Sequence, residues 1–281
     1  QSELAMGRAL AKYPREQFFL ADKFPGYDLG NMDKVEEIFE KQLEKCGVEY
    51  FDFYLFHNVC EMNIDAYLDR SHGIYDYLLR QRDNGRIRHL GFSVHGSYQV
   101  LERFLEAYGE GMEFCQIQLN YLDWTFQDAK AKVELLQKWC LPIWVMEPVG
   151  GGRLAKPPPQ EAEKLAALAP QATPAELAFR FVQSVPGVMV TLSGMSNLEQ
   201  IQENIRTFET EQPLSQAQWD GLQALAGEMV RQKSLPCTAC HYCVSHCPQG
   251  LDIPMLLNLY NEHYFTGGGF IAPMALRAVP A

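Results

Sequence analysis

The strongest constraint on what this chain can fold into is a repeated alternation of apolar, strand-like runs with amphipathic helical patterns. QFFLADK at 17–23 reads as a short strand. YFDFYLFH at 50–57 is a second, nearly continuous in apolar residues, as expected of a strand buried on both faces. RHLGFS (88–93), FCQIQLN (114–120), PIWVME (142–147) and GVMVTLS (187–193) follow. Helical patterns lie between them. Asn31 is the expected cap of a helix in which Val35, Ile38, Phe39, Leu43 and Cys46 share one face and which Gly47 ends. Further helices are expected over about 71–84, from Ser97 to Gly109 with Val100, Leu101, Phe104, Leu105 and Tyr108 inward, and over 128–140. Thr173 with Glu176, and Ser196 with Glu199, read as capping boxes, the second opening a helix with Leu198, Ile201, Ile205 and Phe208 inward.

Six such units imply α/β architecture, a parallel sheet with helices outside it. A (β/α)8 barrel and a doubly wound sheet both satisfy that pattern. No G-x-G-x-x-G follows the early strands, which weakens the doubly wound dinucleotide fold. The barrel is favoured, yet six strands do not close one of that size.

Composition narrows the function classes. The 281 residues suggest one or two domains. Lys and Arg number 24 against 35 Asp and Glu, a net charge of −11, which argues against a nucleic-acid binder and against a polybasic membrane anchor. With 47 % hydrophobic and 21 % charged residues, a packed core is within reach. No stretch approaches the ~18–20 apolar residues of a spanning helix, and no signal peptide is evident. The first residue is Gln1, so the chain is expected to begin after processing or inside a longer protein.

Eight cysteines divide into two groups. Cys46, Cys60, Cys115 and Cys140 are scattered in apolar contexts and read as small buried hydrophobes. Cys237, Cys240, Cys243 and Cys247, followed by Pro248, read C-x2-C-x2-C-x3-C-P, the bacterial ferredoxin spacing for a [4Fe–4S] cluster. Thiolates at these short intervals wrap one cube, and backbone N–H groups point at its sulfides. Zinc is the runner-up, but zinc sites pair two knuckles across a longer spacer. Either Cys247 completes a single cluster, or, as in two-cluster ferredoxins, it ligates another whose cysteine run lies beyond the end.

Polar groups stand at the ends of successive strands, where a (β/α)8 barrel carries its chemistry: Lys23, His57, Ser93, Gln116 with Asn120, and Glu147. Here the sequence resembles the aldo/keto reductases. The matching segments run in order: SELAMGRAL, ADK with Lys23, DFYLFH with His57, GRIRHLGFS, QIQLNYLD, VMEPVGGGRL and SGMSNLEQIQENI, over about the first 210 residues. With the cysteine run, the chain is similar to the bacterial branch that carries a C-terminal, α-helical, ferredoxin-like domain. The expected division is a barrel over 1–230 and the iron–sulfur domain over 231–281.

The resemblance implies hydride transfer between NADP or NAD and a small-molecule carbonyl. The family uses Asp, Tyr, Lys and His. Lys23 and His57 match the last two, and the other two are expected upstream of Ser2 with the first two strands; Tyr13 and Tyr27 match neither. Ser93 and Gln116 match positions that bind the nicotinamide amide, and Met146 stands where many relatives stack a Tyr. Gly151 and Gly152 match the loop near the pyrophosphate. Ser193, Gly194, Ser196, Gln200, Glu203 and Asn204 match the adenine side, with Arg206 the nearest cation. Three functions follow as alternatives: a reductase whose cluster relays electrons or docks ferredoxin or another redox protein; an electron-transfer or regulatory barrel without carbonyl chemistry; and a cluster that only staples a small domain, its helix after Pro254 turning Leu256, Leu257 and Tyr260 inward. No membrane or nucleic-acid partner is expected, and an oxygen-labile cluster points to the cytoplasm of an anaerobe.

Overall fold

The computed structural model describes residues 1–233, 235, 242–245 and 247–266. In chain order its elements are α1 (Ser2–Leu10), β1 (Ala21–Phe24), α2 (Val35–Cys46), β2 (Phe51–Val59), α3 (Ile64–Leu68), α4 (Ile74–Asp83), β3 (Ile87–Val94), α5 (Tyr98–Tyr108) and β4 (Phe114–Gln118). They continue with α6 (Asp123–Phe126), α7 (Ala129–Lys138), β5 (Ile143–Met146), α8 (Pro159–Leu168), α9 (Pro174–Gln183), β6 (Val188–Thr191), α10 (Leu198–Glu209), α11 (Gln216–Lys233), α12 (Tyr242–Ser245) and α13 (Ile253–Thr266). The six described strands form one parallel sheet in the order β1 to β6, so the alternating pattern delivers the α/β architecture expected of it. Among the described residues no helix is long and apolar enough to cross a membrane.

The chain divides into two compact units, Gln1–Gln118 with Lys130–Trp144, and Leu119–Ala129 with Val145–Ala281. In the first unit, aromatic clusters lie on both sides of the sheet. Phe56 and Phe92 meet Phe104 of α5 at ring distances of 5.4 and 4.5 Å on the helix side. On the inner side Phe53, Phe114 and Trp144 form a second aromatic cluster, the last two stacked at 4.3 Å. Gly91 pairs with Phe114, and a Cβ there would lie 2.6 Å from that ring, so only glycine lets the ring cover the strand. The helix α2 buries Val35, Phe39, Gln42, Leu43 and Cys46 on one face. Gly47, at φ 67°, then closes it with two backbone bonds, Gly47 N–H to Glu44 and Val48 N–H to Leu43.

Asp52 ties the N-terminal ends of β1, β2 and β3. Its buried carboxylate accepts from Arg15 at 2.6 Å, from Arg88 at 3.1 Å and from the Leu20 N–H at 2.9 Å. Arg15 also lies over the ring of Tyr50, 3.9 Å from its centroid.

In the second unit, α9 buries Leu177, Ala178, Phe179, Phe181 and Val182. Phe181 stacks on Trp219 at 4.6 Å, with Trp124 edge-on to both. The Thr173 hydroxyl caps α9 through the Glu176 N–H at 3.0 Å, as its sequence predicts.

Several expectations change. Asn31 does not cap α2, because its side chain donates to the Pro25 carbonyl; Asp28 instead opens a 3-10 turn over Leu29–Lys34 that leads into the helix. Asn197, not Ser196, caps α10 by accepting the Gln200 N–H at 2.9 Å. Leu198, Ile201, Ile205 and Phe208 are exposed rather than inward, since α10 touches α9 through Phe208 on Phe179 while no described element covers the rest of that face. Cys140 is exposed at a left-handed turn after α7. Tyr260 is also exposed; among the described side chains of α13 the buried ones are Pro254, Leu259 and Asn261, the last bonding both backbone groups of Leu235.

Asp52→Ala leaves Arg15 unpaired against a buried strand end, and is expected to lower stability by about 3 kcal/mol in chemical denaturation. Arg88→Ala, on a half-exposed arginine, is expected to cost about 1 kcal/mol or less.

Candidate active site

Register builds the site in the first unit. Lys23 pairs with Leu55, Leu55 with Gly91 and Gly91 with Phe114, one row across the inner face. Two residues further along each strand, the same face carries His57, Ser93 and Gln116, with Ser93 and Gln116 in direct register. Lys23 and His57 are therefore neighbours at the C-terminal ends of adjacent strands. Lys23 accordingly disfavours a proton on the His57 imidazole, second to burial.

Both backbones are held from the helix side. Gln42 of α2 accepts from the Tyr54 hydroxyl and donates to the Lys23 carbonyl at 2.9 Å. Tyr67 of α3 donates to the His57 carbonyl at 2.8 Å. The Tyr67 hydroxyl leaves no room at Gly26, where a Cβ would come within 2.0 Å of it. Asn58 takes a left-handed conformation, φ 59°, where the β2–β3 register shifts. Its N–H donates to the Ser93 hydroxyl at 2.9 Å, and its carbonyl accepts from Asn63 at 2.8 Å. The ring of Tyr27 stands edge-on to His57 at 5.3 Å.

Desolvation dominates the electrostatics. Burial lowers the Lys23 pKa, with Asp22 working against it. Burial and then Lys23 lower His57 to about 4. A second imidazole, His95, lies two residues beyond Ser93. Burial, then His57, Lys23 and Lys132, lower it to about 3. Asp22 points to the helix side, where burial raises it to about 6. At neutral pH both imidazoles are uncharged, so they act as hydrogen-bonding groups beside a lysine.

The second unit carries the other candidates. Gly150, Gly151 and Gly152 follow β5 with φ of 53°, 64° and 96°. Any other residue would be strained there, and a Cβ on Gly151 or Gly152 would meet nothing within 4 Å. That bare backbone fits the close approach of a diphosphate. The Ser196 N–H donates to the Gln200 side chain at 2.7 Å, and Asn204 donates to the Ser193 hydroxyl at 2.9 Å, so 193–204 is an ordered turn into α10. Gly194 has open space around its Cα, while Glu203 accepts from Thr173. Met146 ends β5. Asn120 binds Asp123 at 2.6 Å and the Glu147 carbonyl at 3.0 Å, a structural knot rather than a ligand-facing pair.

Of the cysteine run, Cys237 and Cys240 lie outside the described residues. Cys243 sits on α12, and the Cys247 sulfur accepts the Leu251 N–H at 3.4 Å, the kind of bond that supports a thiolate ligand. Among the described residues no group of three or more His, Cys, Asp or Glu is gathered around one point.

Sequence reasoning found Lys23, His57, Ser93 and Gln116 from their places at strand ends. It missed His95, Asn58, Asn63 and Tyr67. For His95 the signal was present, since a residue two beyond Ser93 shares its face.

The chain matches the sequence profile of the Aldo/keto reductase family over residues 1–226. An aldo-keto reductase of Mycolicibacterium smegmatis is 29 % identical over 220 residues, covering 75 % of this chain and 72 % of the relative. One from Mycolicibacterium paratuberculosis is 26 % identical over 213 residues, 74 % and 68 % of the two chains. Among solved structures, an aldo-keto reductase from Bacillus halodurans superposes with a TM-score of 0.63 at 22 % identity, covering 79 % of this chain and 76 % of its own. An aldo/keto reductase from Brucella melitensis gives 0.61 at 20 % identity, covering 79 % and 80 %.

The imidazole resonances of His57 and His95 are expected to stay unprotonated in NMR titration down to pH 5. An unfolded histidine takes its proton near pH 6.5, about two or more units higher, so between those limits the unfolded chain binds more protons and acid weakens the fold. Asp22, with its folded pKa raised, opposes this between about pH 4 and 6 and offsets one of the two imidazoles.

Proposed function

The chain belongs to the aldo/keto reductase family, whose members are oxidoreductases, and on that premise we propose that it is an NAD(P)H-dependent reductase of a small-molecule carbonyl coupled to an iron–sulfur centre. The observation that carries this reading is the shared inner face of Lys23, His57, Ser93 and Gln116 at the C-terminal ends of four parallel strands. On this reading the six strands are six of a barrel's eight, residues 1–230 make up that domain, and 231–281 form a ferredoxin-like appendage.

The dinucleotide, when bound, supplies hydride to the carbonyl carbon. Ser93 and Gln116 would hold the nicotinamide amide. The Ser93 hydroxyl already accepts the Asn58 N–H, so it is fixed in orientation and can add one further bond. Met146 would cover the ring with its thioether. Gly151 and Gly152 would let the diphosphate approach bare backbone. Ser193, Gly194, Ser196, Gln200, Glu203 and Asn204 would take the adenine side. Arg206 is the cation nearest a 2′-phosphate in sequence.

His57, neutral at physiological pH, donates a hydrogen bond to the substrate oxygen and orients the carbonyl. It is too weakly basic to arrive protonated, so it does not deliver the proton itself. Proton delivery rests on the tyrosine that family membership implies, with the Lys23 cation holding that phenol's pKa down. Desolvation of Lys23 strengthens its field, because few waters screen it.

Cys237, Cys240, Cys243 and Cys247 would hold the [4Fe–4S] cluster, which supplies one-electron transfer and a docking point for ferredoxin or another redox protein. The Leu251 N–H on the Cys247 sulfur and the thiolate donor set support that reading. An oxygen-labile centre would suit the cytoplasm.

Lys23→Met is expected to lower kcat/KM for NAD(P)H oxidation with a carbonyl acceptor on the order of 10²–10⁴-fold. A rate unchanged by that substitution would sink the reductase reading. Anaerobically prepared protein is expected to be brown, with broad absorbance near ~400 nm that Cys243→Ser abolishes. A colourless, zinc-loaded product would count against the cluster.

A further inference from the structure

Asn63 joins the two loops that carry groups of the first-unit site. It is buried, and its side-chain amide is spent on backbone groups of both loops. Nδ2 donates to the Gly26 carbonyl at 3.0 Å and to the Asn58 carbonyl at 2.8 Å, while Oδ1 accepts the Cys60 N–H at 2.9 Å. Only one orientation of the amide does this. Turned over, its oxygen would face two carbonyl oxygens and its nitrogen an N–H.

An asparagine in this position ordinarily serves its own helix. Asn63 immediately precedes α3, where such a side chain accepts an N–H of the first turn, yet it makes no capping bond. The helix is held by other means: Ile64 and Tyr67 are buried, and the Tyr67 carbonyl accepts from Tyr108 at 3.0 Å. The amide is therefore committed to the loops and not to the helix.

Each loop presents a group to the site. The Gly26 carbonyl belongs to the peptide that leads into Tyr27, whose ring stands edge-on to His57. The Asn58 carbonyl lies one residue beyond His57, and the N–H of the same asparagine donates to the Ser93 hydroxyl. Asn58 is left-handed, a conformation that its surroundings must hold in place. The regular ladder holds neither position, since β1 ends at Phe24 and the β2–β3 register shifts between Phe56 and Val59.

Resting on the reductase reading above, we propose that Asn63 is a positioning residue that joins carbonyl recognition to nicotinamide recognition. Its amide holds the Tyr27 ring against the His57 imidazole, and it holds Asn58 so that the Ser93 hydroxyl stays where the nicotinamide amide would bond it. Asn63 acts through His57 and Ser93 and touches neither substrate nor dinucleotide. Its loss frees two buried carbonyls and one N–H at once, and a misplacement of about 1 Å at reacting groups costs on the order of 10² in rate.

The test uses the full chain and NMR of ring-labelled histidine and backbone amides. In the wild type the ring current of Tyr27 displaces the His57 ring protons, and Tyr27→Leu gives their position without it. Asn63→Ala is expected to move the His57 signals toward those of Tyr27→Leu and to speed exchange of the Asn58 N–H. It is also expected to weaken NADP+ binding about tenfold, the equivalent of one hydrogen bond. Asn63→Asp, the same shape with its two donors replaced by an acceptor, is expected to do the same. Asp52→Ala, which loosens the opposite strand ends, is expected to leave all of these readings at wild-type values. Wild-type His57 and Asn58 signals in either Asn63 variant, or displacement as large in Asp52→Ala, overturns the proposal. If neither Asn63 variant folds, solvent exchange of the wild-type Nδ2 protons decides: strong protection supports the clamp, and the rate of an exposed asparagine overturns it. A wild type that binds neither NADP+ nor NAD+ sinks the reductase reading, and the His57 and Asn58 signals then decide the role of Asn63 by themselves. NADP+ binding with unmoved His57 signals in Asn63→Ala does the reverse.

Discussion

Everything at the inner face depends on the pleat. In parallel strands with a period of two, Lys23, Leu55, Gly91 and Phe114 make one row, and the next row along that face brings His57, Ser93 and Gln116 together. A slip of one residue would turn each of these polar groups toward the helices. The helix side prevents the slip. Phe56 and Phe92 are locked against Phe104, and Gln42 reads both the Tyr54 hydroxyl and the Lys23 carbonyl. Packing on one face thus fixes chemistry on the other.

The same arrangement is electrostatically costly. A lysine and two imidazoles are removed from water, and each responds by favouring its neutral form. What keeps them in place is a rigid shell: Tyr67 on the His57 carbonyl, Asn63 on Asn58, and left-handed Asn58 on Ser93. Such a shell fixes geometry before any ligand arrives, and preorganised polar sites gain most of their strength in that way.

The alternation of strands and helices was legible because periodicity survives without knowing any partner. Thr173, Ser97 and Gly47 were legible too, since capping is local. The errors were competitions between local choices, or facts about distant neighbours. Asn31 is chemically able to cap but bonds Pro25 instead, and Asn197 wins over Ser196 by one position. The apolar stripe of α10 predicts an inward face, but whether anything lies against it is not written in the helix itself. In the site, Lys23, His57 and Ser93 were visible from their strand ends. Asn58 was not, because a left-handed asparagine at a register shift has no sequence signature beyond being an asparagine.

Asp52 closes β1, β2 and β3 at their N-terminal ends, a whole strand length from Lys23 and His57. Durability and reactivity are thereby assigned to opposite poles. Loops on the reactive pole can drift in length and composition without loosening the anchor. A lineage built on this plan can change what it reduces while inheriting its fold intact.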